Sequence, residues 1–261
     1  MDTPLGGWIP VLDWLIAAEL AAWFPLTLLL MWQVLFPRRV ARLARPPADQ
    51  PRISVIIPAR NEGHQIGRLL RSLHGQTLAL YQIVVVDDDS ADDTASVASA
   101  CGATVLQAGA APPGWNGKTW ACWRGAAECS GDVLLFLDAD TWLEPHGVHC
   151  LVGLYGGAGL LTVQPYHVTQ RAYEQLSAFF NLVVVAALGA FTPLGERIRP
   201  GGSFGPCVMC ARDDYLRVGG HREVRSEVIE DIPLAKLFLR HGLPVRCYLG
   251  RGIVSFRMYP G

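Results

Sequence analysis

Two aspartates separated by one small residue, Asp138-Ala139-Asp140, follow directly on five apolar residues, Val133 to Leu137. Such a run, ended by polar residues, has the length and composition of a buried strand. Two carboxylates delivered to its end repel each other unless a positive charge lies between them. A divalent cation supplies that charge, and Mg²⁺ in particular takes one or two carboxylates together with substrate phosphates. Bound there, it neutralises a diphosphate leaving group as a Lewis acid. Asp138 and Asp140 are therefore read as ligands for Mg²⁺ or Mn²⁺. A D-x-D alone also fits a solvated loop; its place at a strand end, with a second acidic cluster at a neighbouring strand end, favours the metal.

That second cluster is Asp87-Asp88-Asp89-Ser90. Carboxylates here can accept hydrogen bonds from a base N–H or a ribose hydroxyl. Asp92 and Asp93 are sufficiently explained as caps of the helix that follows. Gly117-Lys118-Thr119 resembles the tail of a phosphate-binding loop, but the full pattern needs Gly where Pro112 stands, so a P-loop is rejected. Lys118 remains either a solvated lysine or a point charge for a diphosphate. Glu230-Asp231 opens a helical segment, Ile232 to Arg240. Acidic residues there complement the helix dipole; alternatively, one of them is a general base that takes the proton of an acceptor hydroxyl.

These groups need elements to carry them. Ile53 to Ile57, Ile83 to Val86 and Val133 to Leu137 read as apolar, buried strands, and Thr104 to Leu106 as a further strand. Gly63 to Gly75, Asp92 to Ala100 and Thr119 to Cys129 read as the helices between them. The alternation predicts βαβ units, a mostly parallel sheet and flanking helices on both faces. Ligands of such sheets bind outside the carboxyl ends of the strands. Pro58-Ala-Arg-Asn-Glu62, the Asp87 cluster and Asp138-Ala-Asp140 all fall at such ends. No internal repeat or low-complexity segment is present.

The chain has 261 residues, 51% hydrophobic, with formal net charge -1. That is one large domain, or one domain plus an anchor. The near-neutral charge excludes an ordinary nucleic-acid binder. Seven scattered cysteines with one lone C-x-x-C, Cys207 to Cys210, fit buried thiols in a reducing compartment better than a zinc site. Trp14 to Phe36 is apolar except for Glu19, Thr27 and Gln33. At ~1.5 Å per residue it has the length of a membrane span. Arg38, Arg39, Arg42 and Arg45 follow it, which keeps that end cytoplasmic under the positive-inside rule. The expectation is an anchor over residues 1–45, a Pro-rich linker over 45–51, and a cytoplasmic catalytic domain over 46–261 at the inner membrane. A second apolar segment, 176–191, is either a buried core helix or a helix on the membrane surface that guides a lipid.

The motifs I-S-V-I-I-P-A-R-N-E (53–62), V-V-V-D-D-D-S-A-D-D-T (84–94), L-D-A-D (137–140) and E-D (230–231) together resemble family 2 glycosyltransferases. The resemblance covers about residues 52 to 259. It implies a GT-A fold for nucleotide-diphospho-sugars, a divalent metal and inverting transfer. Carried over residue by residue, Asp87 or Asp88 contacts the nucleoside, Asp138 and Asp140 hold metal and diphosphate, and Asp231, beside Glu230, is the base. Pro58, Arg60, Glu62 and Lys118 join the donor contacts. P-G-W-N-G-K-T-W-A-C (113–122), G-G-H-R-E-V-R-S-E-V-I-E-D (219–231) and F-R-M-Y (256–259) resemble the membrane subgroup with hopanoid-associated and carotenoid-type (diaponeurosporenoate-like) members. The implied partners are a nucleotide sugar and a lipid acceptor at the membrane. Two departures stand out: Asp89 occupies a position where the family often has Gly or Asn, and the Q-x-x-R-W of processive polysaccharide synthases is not found. The alternatives are such a synthase, or a non-catalytic scaffold; retention of Asp138, Asp140 and Asp231 argues against the scaffold.

Overall fold

A computed structural model describes residues 9–36, 50–171, 173–191 and 199–257. The arginine cluster that set the expected membrane orientation, most of the linker, and Met258 and Tyr259 lie outside these residues.

Helix α1 (Ile9–Leu35) precedes the α/β body. Strand β1 (Ile53–Ala59), α2 (Gly63–His74), β2 (Gln82–Asp87), α3 (Thr94–Ala100), β3 (Thr104–Gln107), α4 (Gly117–Glu128) and β4 (Val133–Leu137) follow in the expected alternation. β1 pairs in parallel with β2 and β4, and β2 with β3. The second half contains β5 (Thr141–Leu143), α5 (Gly147–Tyr155), β6 (Leu160–Gln164), β7 (Tyr166–His167) and α6 (Glu174–Ala187). It ends with β8 (Cys207–Ala211), α7 (Arg212–Arg217), α8 (Gly220–Glu223), α9 (Asp231–Arg240), β9 (Val245–Leu249) and β10 (Val254–Phe256). The main sheet has the order β3-β2-β1-β4-β8-β6-β9, and β5-β10-β7 form a small second sheet. The sheet is parallel except around β8, which runs antiparallel to both β4 and β6.

Alternation along β1 sorts the two cores. Val55 and Ile57 face a layer containing Ile66, Leu69 and Leu70 of α2 and Leu151 of α5. Ile56 faces the opposite layer, with Ala121 and Cys122 of α4 and Leu234 and Phe238 of α9. Successive strand residues point to opposite faces, so a strand covered on both sides must be apolar throughout. Cys207 and Cys210 are buried on β8, as small core residues.

Three local expectations are revised. α3 begins at Thr94 rather than Asp92; Asp93 is its N-cap position but makes no side-chain cap. Asp92 instead accepts hydrogen bonds from Thr94 and Gly63 backbone N–H groups. Segment 176–191 is neither wholly core nor wholly surface: Val185, Leu188 and Phe191 are buried, whereas Leu176, Val183 and Val184 are exposed. The helix expected over 14–36 is present as α1, but a membrane crossing is not supported. Among the described residues no helix is long and apolar enough to cross a membrane. Trp14, Leu20, Trp23 and Phe24 are exposed on α1, which packs against α6.

The start of α6 is fastened to the small sheet. Glu174, fully buried, accepts from Arg257 at 2.7 Å and from the backbone N–H of Gln170 at 2.6 Å. The Arg257 hydrogen bond, with those from Gln170 and Arg171, holds the Glu174 carboxyl down to about 2. A depressed carboxylate stabilises the fold above its unfolded-state pKa, near 4.5, and loses that contribution as pH falls towards about 2. Glu174→Gln should therefore melt below wild type at neutral pH, and the difference should shrink between pH 4.5 and 2. A pH-independent difference in thermal unfolding contradicts this role.

Candidate active site

The carboxyl ends of β1, β2 and β4 come together, as parallel register requires. Ala59 pairs with Asp87, and the Asp88 N–H donates to Ala59 O at 2.9 Å. The loops after β1 and β2 are bolted to each other. Asn61 Oδ1 accepts from the Ala91 N–H, the Asn61 N–H donates to Ser90 Oγ, and the Glu62 N–H donates to Thr94 Oγ1. This explains why A-R-N-E and D-S-A-D-D-T occur together: each satisfies the other's backbone. Asp89 sits at φ 58. Gly and Asn adopt that left-handed conformation most cheaply and Asp tolerates it, which accounts for the departure at this position.

The turn after β4 is held by Thr141, whose N–H and hydroxyl both donate to Asp138 O. A cavity of about 420 Å³ opens here, lined by Pro58, Arg60, Glu62, Asp88, Lys118, Asp138 and Asp140 among others. The expected donor contacts thus converge, with one exception. Asp87 is buried behind the cavity, and its carboxylate accepts from the Ser90 N–H and the Gln107 amide. It shapes the loop that presents Asp88. Arg60 lies 3.6 Å from Asp88.

Helix α4 points its N-terminus into this cavity. Asn116 caps it by accepting from the Lys118 N–H at 3.1 Å. The Asn116 N–H and Thr119 Oγ1 both donate to Arg225 O, so the 113–122 and 219–231 motifs lock together. A Cβ on Gly117 would run into Asp88 Oδ2, so glycine lets the helix end lie against that carboxylate without displacing it. Lys118 Nζ reaches Asp138 Oδ1 at 2.9 Å and Glu230 Oε1 at 3.0 Å. Burial alone would lower its pKa, but these two carboxylates more than offset that and keep it charged. The lysine, partly exposed, is thus paired rather than free: it bridges the D-x-D to the E-D motif.

Glu230 is buried against Lys118, whereas Asp231 opens α9 and lies against Gly205, where a Cβ would run into its carboxylate. Burial and then the charge of Glu230 push the Asp231 carboxyl up to about 7. Asp231 lines a second cavity, of about 290 Å³, with Asp138, Asp140, Gln164 and Asn181. The remaining wall includes Val184, Leu188, Phe204, Ile229, Ile232 and Phe256. Asp138 and Asp140 therefore stand between a cavity that gathers charged side chains and a largely apolar one.

The carboxylates suit a hard divalent cation. Burial, then Asp138 and Glu62, push the Asp140 carboxyl up to about 7, and Glu62 Oε2 is buried without a hydrogen-bond partner among the described residues. Oxygen-only donors that repel one another fit Mg²⁺ or Mn²⁺. Among the described residues no cluster of three or more metal-ligating side chains is present.

Sequence reading missed Asn116, Gln164, Asn181 and His167. Asn116 carried a signal, as Asn before a helix start is a good cap. The others carried none, because they meet the site only through tertiary contacts.

Residues 54–175 match the family described as Glycosyl transferase family 2. A 4,4'-diaponeurosporenoate glycosyltransferase of Staphylococcus haemolyticus is 41% identical over 213 residues, 79% of this chain and 56% of that protein. The match thus spans about half the length of that relative. Among solved structures, the mannosyltransferase PcManGT from Pyrobaculum calidifontis, in complex with GDP-Man and Mn²⁺, superposes with TM-score 0.62. It is 21% identical and the match covers 90% of this chain and 66% of that one, a likeness of fold. Glucosyl-3-phosphoglycerate synthase from Mycobacterium tuberculosis, in complex with Mn²⁺, UDP and phosphoglyceric acid, gives TM-score 0.53 at 26% identity, over 80% and 72% of the two chains. The architecture is GT-A-like, with a mostly parallel central sheet.

Proposed function

Because residues 54–175 match glycosyl transferase family 2, we propose that the chain is an inverting, metal-dependent glycosyltransferase. It moves a sugar from a nucleotide-diphospho-sugar to a lipid acceptor of carotenoid or other polyprenoid type. The observation that carries this reading is the position of Asp138 and Asp140 between a cavity that gathers charged side chains and a largely apolar one. An inverting displacement needs the acceptor on the face opposite the departing diphosphate, and two cavities meeting at one pair of carboxylates provide both faces.

The donor takes the cavity that gathers charged side chains. Asp88 accepts from the nucleoside, and Arg60 and Lys118 bring positive charge towards the diphosphate. Pro58 and Glu62 complete that wall. Asp138 and Asp140 hold Mg²⁺ or Mn²⁺, which when bound neutralises the charge developing on the diphosphate. The acceptor takes the apolar cavity, where Asp231 removes the proton of its hydroxyl as the new bond forms. Lys118, between Asp138 and Glu230, keeps the donor and base halves in register. The relative is named for 4,4'-diaponeurosporenoate; carried over to this chain, that name supports an acceptor with an isoprenoid chain. Mass spectrometry of lipids from cells with and without the gene tests the reading: a hexose-bearing isoprenoid lipid should disappear with the gene, and identical lipid profiles contradict it.

The exposed apolar side chains of α1 and the outer face of α6 attach the protein to the inner membrane, with the catalytic domain cytoplasmic. Deleting residues 1–36 should shift the protein from the membrane fraction to the soluble fraction in a flotation gradient. Unchanged flotation contradicts α1 as the attachment element.

A further inference from the structure

Glu174 and Asn181 stand seven residues apart on α6, about two helical turns, and so share one face. That face meets the small sheet twice. Glu174 is pinned by Arg257, which follows β10, and the Asn181 amide nitrogen lies 3.1 Å from His167 Nδ1 on β7. The His167 ring is buried and packs on Phe256, with centroids 4.7 Å apart. Its burial favours the neutral imidazole, in which only one nitrogen is an acceptor. With the amide donating to Nδ1, the ring proton is on Nε2, which is buried without a partner among the described residues, and the contact sets which way the amide turns. Among the described residues, Asn181 then has an N–H and its Oδ1 left for another partner. It also lines the apolar cavity, in the company of Gln164 and the base Asp231. A polar amide, held at a set angle and half-buried in a mainly apolar wall beside the base, is what a long apolar molecule with one polar end requires.

We propose that Asn181 binds the polar head of the lipid acceptor and presents it to Asp231, and that His167 is the positioning residue that fixes the amide. This deepens the transferase reading of the same site and depends on it. A merely structural Asn181–His167 contact would instead serve to dock α6 on the sheet.

The test titrates the full chain in detergent with cis-parinaric acid, a polyene fatty acid that fluoresces in apolar sites. Asn181→Leu keeps size and apolar packing but loses the amide, and should weaken binding about tenfold. His167→Phe keeps a ring against Phe256 but removes the acceptor nitrogen, and should weaken binding about threefold. His167→Gln supplies an acceptor oxygen in its place and should recover most of that loss. Lowered melting temperatures with unaltered probe affinity would point to the docking role and overturn the proposal. So would absence of saturable binding in wild type, or a His167→Gln no better than His167→Phe. Release of UDP from UDP-glucose and of GDP from GDP-mannose, measured on the same preparations, separates the two readings. Neither nucleotide released, with the binding series as expected, removes the transferase reading and leaves a head-group site. Nucleotide release with unaltered probe binding in Asn181→Leu removes this inference alone.

Discussion

Asp231→Asn should reduce turnover with an isoprenoid alcohol by about 10² to 10⁴, the usual worth of general-base help. The substitution keeps shape and most hydrogen bonds but removes the basic oxygen. Asp231 lies in the apolar cavity rather than the donor cavity, so donor affinity should stay nearly unchanged. A loss in turnover at constant donor affinity marks an interaction made mainly in the transition state. The raised carboxyl, near 7, must be ionised to act, so kcat/KM should climb as pH passes about 7 and then level. Glu230→Gln should be milder, because Glu230 faces Lys118 rather than the acceptor. The acceptor class sharpens the test: a carboxylate acceptor, with a pKa near 4, is already deprotonated at pH 7 and should tolerate Asp231→Asn far better than an alcohol. Near-normal turnover of an alcohol by Asp231→Asn, or greater damage from Glu230→Gln, would move the base to Glu230.

Asp140→Asn is expected to abolish metal-dependent turnover, a loss of at least about 10², since the metal supplies several kcal/mol of charge stabilisation. The same change relieves repulsion from Asp138 and Glu62 in a mostly buried place, so thermal stability should hold or rise. Activity and fold therefore move apart, which no general disruption of the site would produce. Retained activity in Asp140→Asn, or wild-type activity unaffected by excess EDTA, contradicts the assignment.

The first half of the fold was legible because its central strands, β1, β2 and β4, are mostly apolar on both faces and its polar residues cluster where strands end. Ile53 to Leu137 alternate cleanly between buried runs and helical spacing, and the acidic clusters fall at the ends of β2 and β4. The second half was not. β8, Cys207–Ala211, enters between β4 and β6 and runs antiparallel to both; its pairing joins residues far apart in sequence that no local pattern connects. Asp138, Asp140 and Asp231 were legible as motifs, but the cavity that Asp231 faces was not, because its walls come from α6, β6, β10 and the loops before β8 and α9. Lys118 was read towards a phosphate; its bridge to Glu230 appears only when α9 is packed beside α4. Asp87 was the reverse case: three adjacent aspartates gave no means of telling that the first is spent on Ser90 and Gln107 while the second faces the cavity.

The most direct measurement incubates the purified full chain with UDP-glucose or GDP-mannose, Mn²⁺ or Mg²⁺, and isoprenoid alcohol and carboxylate acceptors, then examines products by mass spectrometry and NMR. The account predicts a hexosyl isoprenoid with inverted anomeric configuration, formed only with metal and lost in Asp140→Asn. Retained configuration, metal-independent product, or no transfer from either donor to either acceptor would contradict it.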